Sequence, residues 1–88
     1  MSEQLKDQIA LVTGASSGIG RATALRMAAE GARVALVGRG REALQAVERE
    51  IAEQGHESFV VAADVTIETE AERALAETVE RFGGLDVL

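Results

Sequence analysis

The chain has no cysteine, no proline, no tryptophan and no tyrosine, and its single lysine is Lys6. Without cysteine, neither a disulfide framework nor a thiolate metal site can form. Without tyrosine, and with no lysine beyond position 6, these 88 residues hold no phenolic acid/base group and no amine placed to tune one. Cations are few: 9 Lys and Arg stand against 15 Asp and Glu, a net charge of −6, with no basic tract. That balance argues against a nucleic-acid partner, whose binding draws on clustered positive charge. Long apolar runs are missing too. No stretch approaches the roughly 18 apolar residues of a membrane span, and "MSEQLKDQ" lacks the apolar core of a secretory signal. No membrane partner is expected, and a cytoplasmic protein is the default expectation.

What remains is 47% hydrophobic and 27% charged, the profile of one small globular domain over residues 1–88. "QIALVT" (8–13) is a short apolar run before a glycine and reads as a buried strand. From about Ile19 the pattern turns helical, with Gly20, Ala24, Met27 and Gly31 stepping along one face and Gly31 suited to the stop. "RVALV" (33–37) is a second strand, and Leu44, Val47 and Ile51 mark a second helix closed by Gly55. "ESFVVAA" (57–63) is a third strand. Thr66 is placed to cap a third helix, whose apolar stripe reads Ala71, Leu75, Val79 and Phe82 before Gly83 and Gly84. "LDVL" (85–88) opens a fourth strand. Alternating strands and helices with short loops predict an α/β doubly wound parallel sheet, β-α-β-α-β-α-β, with strand order 3-2-1-4. The first two helices are expected on one face and the third on the other.

The densest signal is "TGASSGIG" (13–20), three glycines and two serines between the first strand and the first helix. A helix start offers unpaired N–H groups and a partial positive charge, which attract phosphate. Gly14 suits a tight turn, Gly18 a close backbone approach to a pyrophosphate, and Gly20 close packing of helix on strand. Ser16 and Ser17 can add hydroxyl contacts or simply fill the turn. The spacing G-x-x-x-G-x-G gains weight from its place between a strand and a helix; a ligand-free βα turn is the alternative. After the second strand no carboxylate occurs between Glu30 and Glu42, and the chain offers Gly38, Arg39 and Arg41 instead. An acid there would hold a ribose 2′-hydroxyl, whereas a guanidinium grips a 2′-phosphate, so these residues favour NADP over NAD. The alternative is that both arginines are solvated and one opens the second helix. Asp64 stands at the end of the third strand, where ligands bind in such sheets, or where it caps a turn.

Taken together, "TGASSGIG", "GRGRE", "ADV" (63–65) and "GGLDVL" (83–88) resemble the N-terminal part of the short-chain dehydrogenase/reductase family. The resemblance runs from Gln8 onward and implies a partial Rossmann fold serving hydride transfer between a nicotinamide and a carbonyl or alcohol. It implies that Gly14, Ser16, Ser17, Gly18, Ile19 and Gly20 form the cofactor loop. Arg39 matches the basic residue of NADP-preferring members, and Asp64 and Val65 match the pair that contacts adenine. Many NADP-preferring members also carry Arg or Lys just before the middle glycine, where this chain has Ser17. In the family, an Asn-Asn-Ala-Gly segment follows "LDVL", and a Ser and a Tyr-x-x-x-Lys pair do the catalysis. None of these occurs here, so no catalytic residue is assigned, and the chain corresponds to about the first third of a typical member. Three readings follow: a cofactor-binding segment of an oxidoreductase, a stand-alone nucleotide-binding or regulatory module, and an assembly piece that pairs through its sheet. The first is preferred, because the sequence stops inside a strand. For the third, Ile9, Leu11, Leu36 and Val37 are expected to lack cover on one face, which would promote self-association through the open face and edge.

The isolated 88-residue chain is expected not to reduce carbonyls, since it has no tyrosine and no lysine but Lys6. Spectrophotometric assay of NADPH oxidation with a carbonyl substrate checks this. Turnover that disappears in a Gly18→Asp variant would overturn it.

Overall fold

A computed structural model describes residues 5–87. The elements run β1 (Ile9–Thr13), α1 (Gly18–Ala29), β2 (Arg33–Gly38), α2 (Arg41–Glu53), β3 (Ser58–Ala62) and α3 (Glu68–Phe82). The strands are all parallel and lie in the order β1-β2-β3, with Ala10 opposite Val34 and Leu36 opposite Val60. On the side of β1 away from β2, Val87 makes an isolated parallel bridge to Ala10. The Val87 N–H donates to the Ile9 carbonyl at 3.0 Å, and the Leu11 N–H donates to Val87 at 2.9 Å. The order is therefore 3-2-1 with the beginning of a fourth position beside β1. Leu88, the last residue of the strand expected over 85–88, lies outside the described residues.

Strand burial follows position in the sheet. β1 and β2 are apolar almost throughout, because parallel strands inside a sheet are covered on both faces. β3, at the edge, alternates between buried and half-buried residues. One core holds Ala10, Val12, Val34 and Leu36 against Ala24 and Ala28 of α1 and Leu44, Val47 and Ile51 of α2. The other holds Ile9, Leu11, Ala35 and Val37 against Ala74 and Phe82 of α3. The helices thus divide between the faces as the sequence predicts. α1 meets the sheet through alanines, so it sits close; Arg21 also reaches across to Glu50 of α2 with a forked pair of hydrogen bonds.

Three expectations need correcting. Ile9, Leu11, Leu36 and Val37 are all buried, at 6%, 4%, 0% and 0% exposed. Leu36 lies beneath α1 and α2, and for Ile9, Leu11 and Val37 the single helix α3 suffices, because Phe82 meets Phe59 edge-on at 5.1 Å between ring centroids and closes the far side of that face. The α3 stripe is also rotated from the one expected. Ala74, Thr78 and Phe82 face the sheet, while Leu75 and Val79 are left exposed. Thr78 is accommodated because its hydroxyl donates to the Ala74 carbonyl one turn back, at 2.8 Å. Finally, Ile67, not Thr66, is the residue that precedes α3. Among the described residues no helix is long and apolar enough to cross a membrane.

Phe82→Ala should cost about 3–5 kcal/mol, a large share of the roughly 5–15 kcal/mol typical of a domain. Leu75→Ala, on the exposed flank of the same helix, should cost less than about 1 kcal/mol. Denaturant titration of both variants checks the helix rotation, and equal losses would contradict it.

Candidate functional site

β1 ends at Thr13, and the chain must then turn sharply to start α1 above the strand end. Gly14 makes the turn with φ +63°, and Gly18 enters the helix with φ +59°, both in the left-handed region that side chains disfavour. A Cβ at either position would meet nothing within 4 Å, so these glycines border open space. Gly20 differs. A Cβ there would stand 1.9 Å from the Gly14 carbonyl oxygen and 3.1 Å from that of Thr13, so only glycine lets the first turn of α1 lie on the loop. Ala15 is fully buried beneath the loop, and its N–H donates to the Val37 carbonyl at 3.3 Å. Ser17 is the N-cap in extended backbone, but its side chain makes no capping bond, and the first turn carries no acidic residue. The start of α1 therefore keeps a partial positive charge that no side chain offsets.

The C-terminal ends of β1, β2 and β3 border one cleft of about 330 Å³, lined by Gly14, Ser16, Arg39, Asp64, Val65 and Thr66 among others. The register explains the meeting: the Ala63 N–H donates to the Gly38 carbonyl at 2.7 Å, which sets Arg39 and Asp64 side by side. Arg39 projects from between Gly38 and Gly40 with its side chain 82% exposed, and its Nη1 lies 3.9 Å from Asp64 Oδ2. Arg41 is the first residue of α2.

Asp64 is held more firmly. Its Oδ1 accepts from the Thr66 hydroxyl at 2.6 Å and from the Thr66 N–H at 3.0 Å, while its own N–H donates to Glu70 Oε1 at 2.6 Å. The Thr66 hydroxyl, then the Thr66 N–H, hold the Asp64 carboxyl below the usual carboxylate value; Arg39 adds to this and partial burial opposes it.

Val65 also lines a second, apolar groove of about 590 Å³ that runs beside β1, with Leu11, Ile19, Gly20, Met27 and Leu75. The sequence-predicted residues thus fall into two groups that share Val65. Gly14, Ser16, Arg39 and Asp64 border the cleft, whereas Ile19 and Gly20 border the groove. Ser17 and Gly18 are exposed on the loop and line neither. Thr66 and Glu70, which fix Asp64, are absent from the sequence-based set of site residues. The Asp-x-Thr spacing is the signal that could have revealed Thr66, because an aspartate oxygen commonly accepts from the backbone two residues on.

The model of the short chain dehydrogenase family matches residues 8–88. The chain is 46% identical to a glucose 1-dehydrogenase of Gluconobacter oxydans, with 100% of the chain and 35% of that protein aligned. It is 50% identical to an A-factor type gamma-butyrolactone 1'-reductase of Streptomyces virginiae, over 93% of the chain and 32% of that protein. Among solved structures, a metagenomic short-chain oxidoreductase in complex with NADP superposes with a TM-score of 0.90 at 42% identity, covering 96% of this chain and 38% of that one. NAD+-bound xylitol dehydrogenase gives a TM-score of 0.90 at 39% identity, covering 96% and 33%. The chain belongs to the short-chain dehydrogenase/reductase family, a family of NAD(P)-binding oxidoreductases. It spans about a third of the length of the curated relatives it matches.

In an NMR titration, the Asp64 carboxyl should lose its proton below the ordinary value of 3.8. Thr66→Ala should move that midpoint upward by more than Arg39→Ala does, since the hydroxyl bond is the larger cause. A depressed folded-state value also makes Asp64 stabilising above 3.8, a contribution lost as pH falls through its folded value. Thr66→Ala should therefore flatten the acid limb of the stability curve.

Proposed function

We propose that residues 1–88 are the NADP(H)-binding segment of a short-chain dehydrogenase/reductase, and that residues outside the segment carry the catalysis. One observation carries this reading: Gly14 and Ser16, in the turn that leads into the uncapped start of α1, border the same strand-end cleft as Arg39. The fit to a dinucleotide is good on geometric grounds. Gly14 and Gly18 leave open space where a phosphate can approach backbone N–H groups, and Ser16 and Ser17 offer hydroxyls beside them. Arg39 is the cation available for a 2′-phosphate, and Asp64 and Val65, beside it in the cleft, are the residues for the adenine end. Ile19 and Gly20 lead from the loop toward the apolar groove.

The nicotinamide, when bound, supplies hydride exchange with a carbonyl or alcohol. This chain's residues bind and orient the dinucleotide and transfer no proton, since it has no tyrosine and no lysine but Lys6. Support for NADP over NAD comes from the absence of any carboxylate between Glu30 and Glu42, where an acid would repel a 2′-phosphate. The NADP-bound neighbour is consistent with the reading, and the NAD+-bound one marks the alternative that the test addresses.

In the whole protein that bears this segment, Arg39→Asp should shift the NADP-to-NAD affinity ratio toward NAD by about tenfold or more. A charge-assisted hydrogen bond is worth about 1.5–3 kcal/mol. Titration of both cofactors against both variants reads the ratio, and an unchanged ratio would make Arg39 a solvated loop residue.

A further inference from the structure

β3 ends the sheet, so among the described residues no strand stands on its outer side. Successive residues of a strand turn their backbone polar groups to opposite sides. The Ala63 N–H points to β2, where it meets the Gly38 carbonyl at 2.7 Å. The Ala62 carbonyl and the Asp64 N–H therefore point outward, to the side that lacks a strand. Both are bonded all the same, each by a side chain of α3. Arg73 Nη2 donates to the Ala62 carbonyl at 2.8 Å, and Glu70 Oε1 accepts from the Asp64 N–H at 2.6 Å. A residue of a further parallel strand would bond these same two groups, donating to the carbonyl before Ala63 and accepting from the N–H after it. Glu70 and Arg73, three apart and so neighbours on the helix surface, supply that acceptor and donor from side chains. Glu77 steadies the cation by accepting from Arg73 Nη1 at 2.9 Å.

A strand end held on one side only opens readily. The residues that would open with this one, Ala63, Asp64 and Val65, border the cleft. We propose that Glu70 and Arg73 are positioning residues of the dinucleotide site: in place of a missing strand they hold the end of β3 from its outer side, so that the adenosine end of the cofactor meets a preformed wall. This rests on the reading of the cleft as the dinucleotide site. Neither side chain borders the cleft, so both act through the backbone of residues 62–64. Their effect is on how much of the population has the wall in place. A site that is ordered only part of the time binds more weakly by that fraction.

Calorimetric binding of NADP, NAD and adenosine 2′,5′-bisphosphate to the whole protein bearing this segment tests the role. The bisphosphate keeps the adenosine end and the 2′-phosphate and lacks the nicotinamide. Glu70→Ala should weaken all three ligands by a common factor of about three to ten, the loss expected when the ordered end falls to about a third to a tenth of the population. Glu70→Gln keeps an oxygen that can accept from the Asp64 N–H, and should restore most of the affinity. Arg73→Ala should weaken all three ligands likewise. The double variant should lose less than the product of the two factors, since both side chains hold one segment. The NADP-to-NAD ratio should keep its parent value throughout. Lower thermal stability with all three affinities unchanged would make the two residues merely structural, and overturns the proposal. A loss for NADP that the bisphosphate does not share overturns it too, as does a Glu70→Gln variant no better than Glu70→Ala. Bisphosphate affinity that falls in Arg39→Ala and holds in Glu70→Ala overturns the positioning role alone. Affinity that holds in Arg39→Ala overturns the cleft assignment, and the positioning role with it.

Discussion

The approach of α1 to the loop before it governs the rest of this end of the molecule. Gly20 lies so near the Gly14 carbonyl that a methyl group would collide with the oxygen at 1.9 Å. Because backbone meets backbone there, the helix axis is set by the strand end and not by interposed side chains. Two things follow. Ala24 and Ala28 reach the sheet and are fully buried, which explains why α1 manages with small residues where α2 needs Leu44, Val47 and Ile51. The uncapped N–H groups of the first helical turn also come to rest beside the ends of the strands, where the proposed cofactor cleft opens. A bulkier residue at position 20 would tilt the helix, and both the packing and the aim of its dipole would change together.

The fold was legible in the sequence where one physical signal dominated. Unbroken apolar runs between glycines marked β1 and β2, because a strand covered on both faces has no polar side to show. The three-four spacing of Leu44, Val47 and Ile51 marked α2 for the same reason of burial. The α3 stripe was misread because two apolar rows compete on that helix. Ala71, Leu75, Val79 and Phe82 form the expected one, and Ala74, Thr78 and Phe82 form the other, with Phe82 common to both. Hydrophobicity alone prefers the first, since it avoids the threonine. The sheet selects the second, because Phe82 finds an aromatic partner in Phe59 and the Thr78 hydroxyl is satisfied within the helix.

Site residues were legible by type and less so by partnership. Glycines at 14, 18 and 20 announce a special backbone, and the structure gives the first two positive φ and the third its close approach. The meeting of Arg39 with Asp64 could not be read, since 25 positions separate them and only the β2–β3 register brings them together. Nor could the division of labour at Asp64. One oxygen serves the turn with Thr66, and the other faces Arg39. The sequence posed turn-capping and ligand-facing roles as alternatives, whereas a carboxylate with two oxygens has capacity for both.

The position of the cleft has its own physical cause. α1 and α2 cover one face of the sheet and α3 the other, so the chain changes face after β3. It then returns past β1 to place Val87 on the strand's free side. The covering helices therefore part beside β1, with α1 on one face and α3 on the other, and a crevice opens there. The apolar groove beside β1 occupies that crevice, and the polar cleft continues it across the ends of β2 and β3, with Val65 shared by both. A dinucleotide has a matching sequence of parts: an adenosine end, which in NADP carries the 2′-phosphate, then the pyrophosphate, then the nicotinamide ring. In the proposed reading the adenosine end would lie beside Arg39 and the pyrophosphate beside the glycine turn. In the proposed reading the nicotinamide ring would lie in the groove beside Ile19 and Leu11, toward the free side of β1 and away from the ionisable side chains that border the cleft.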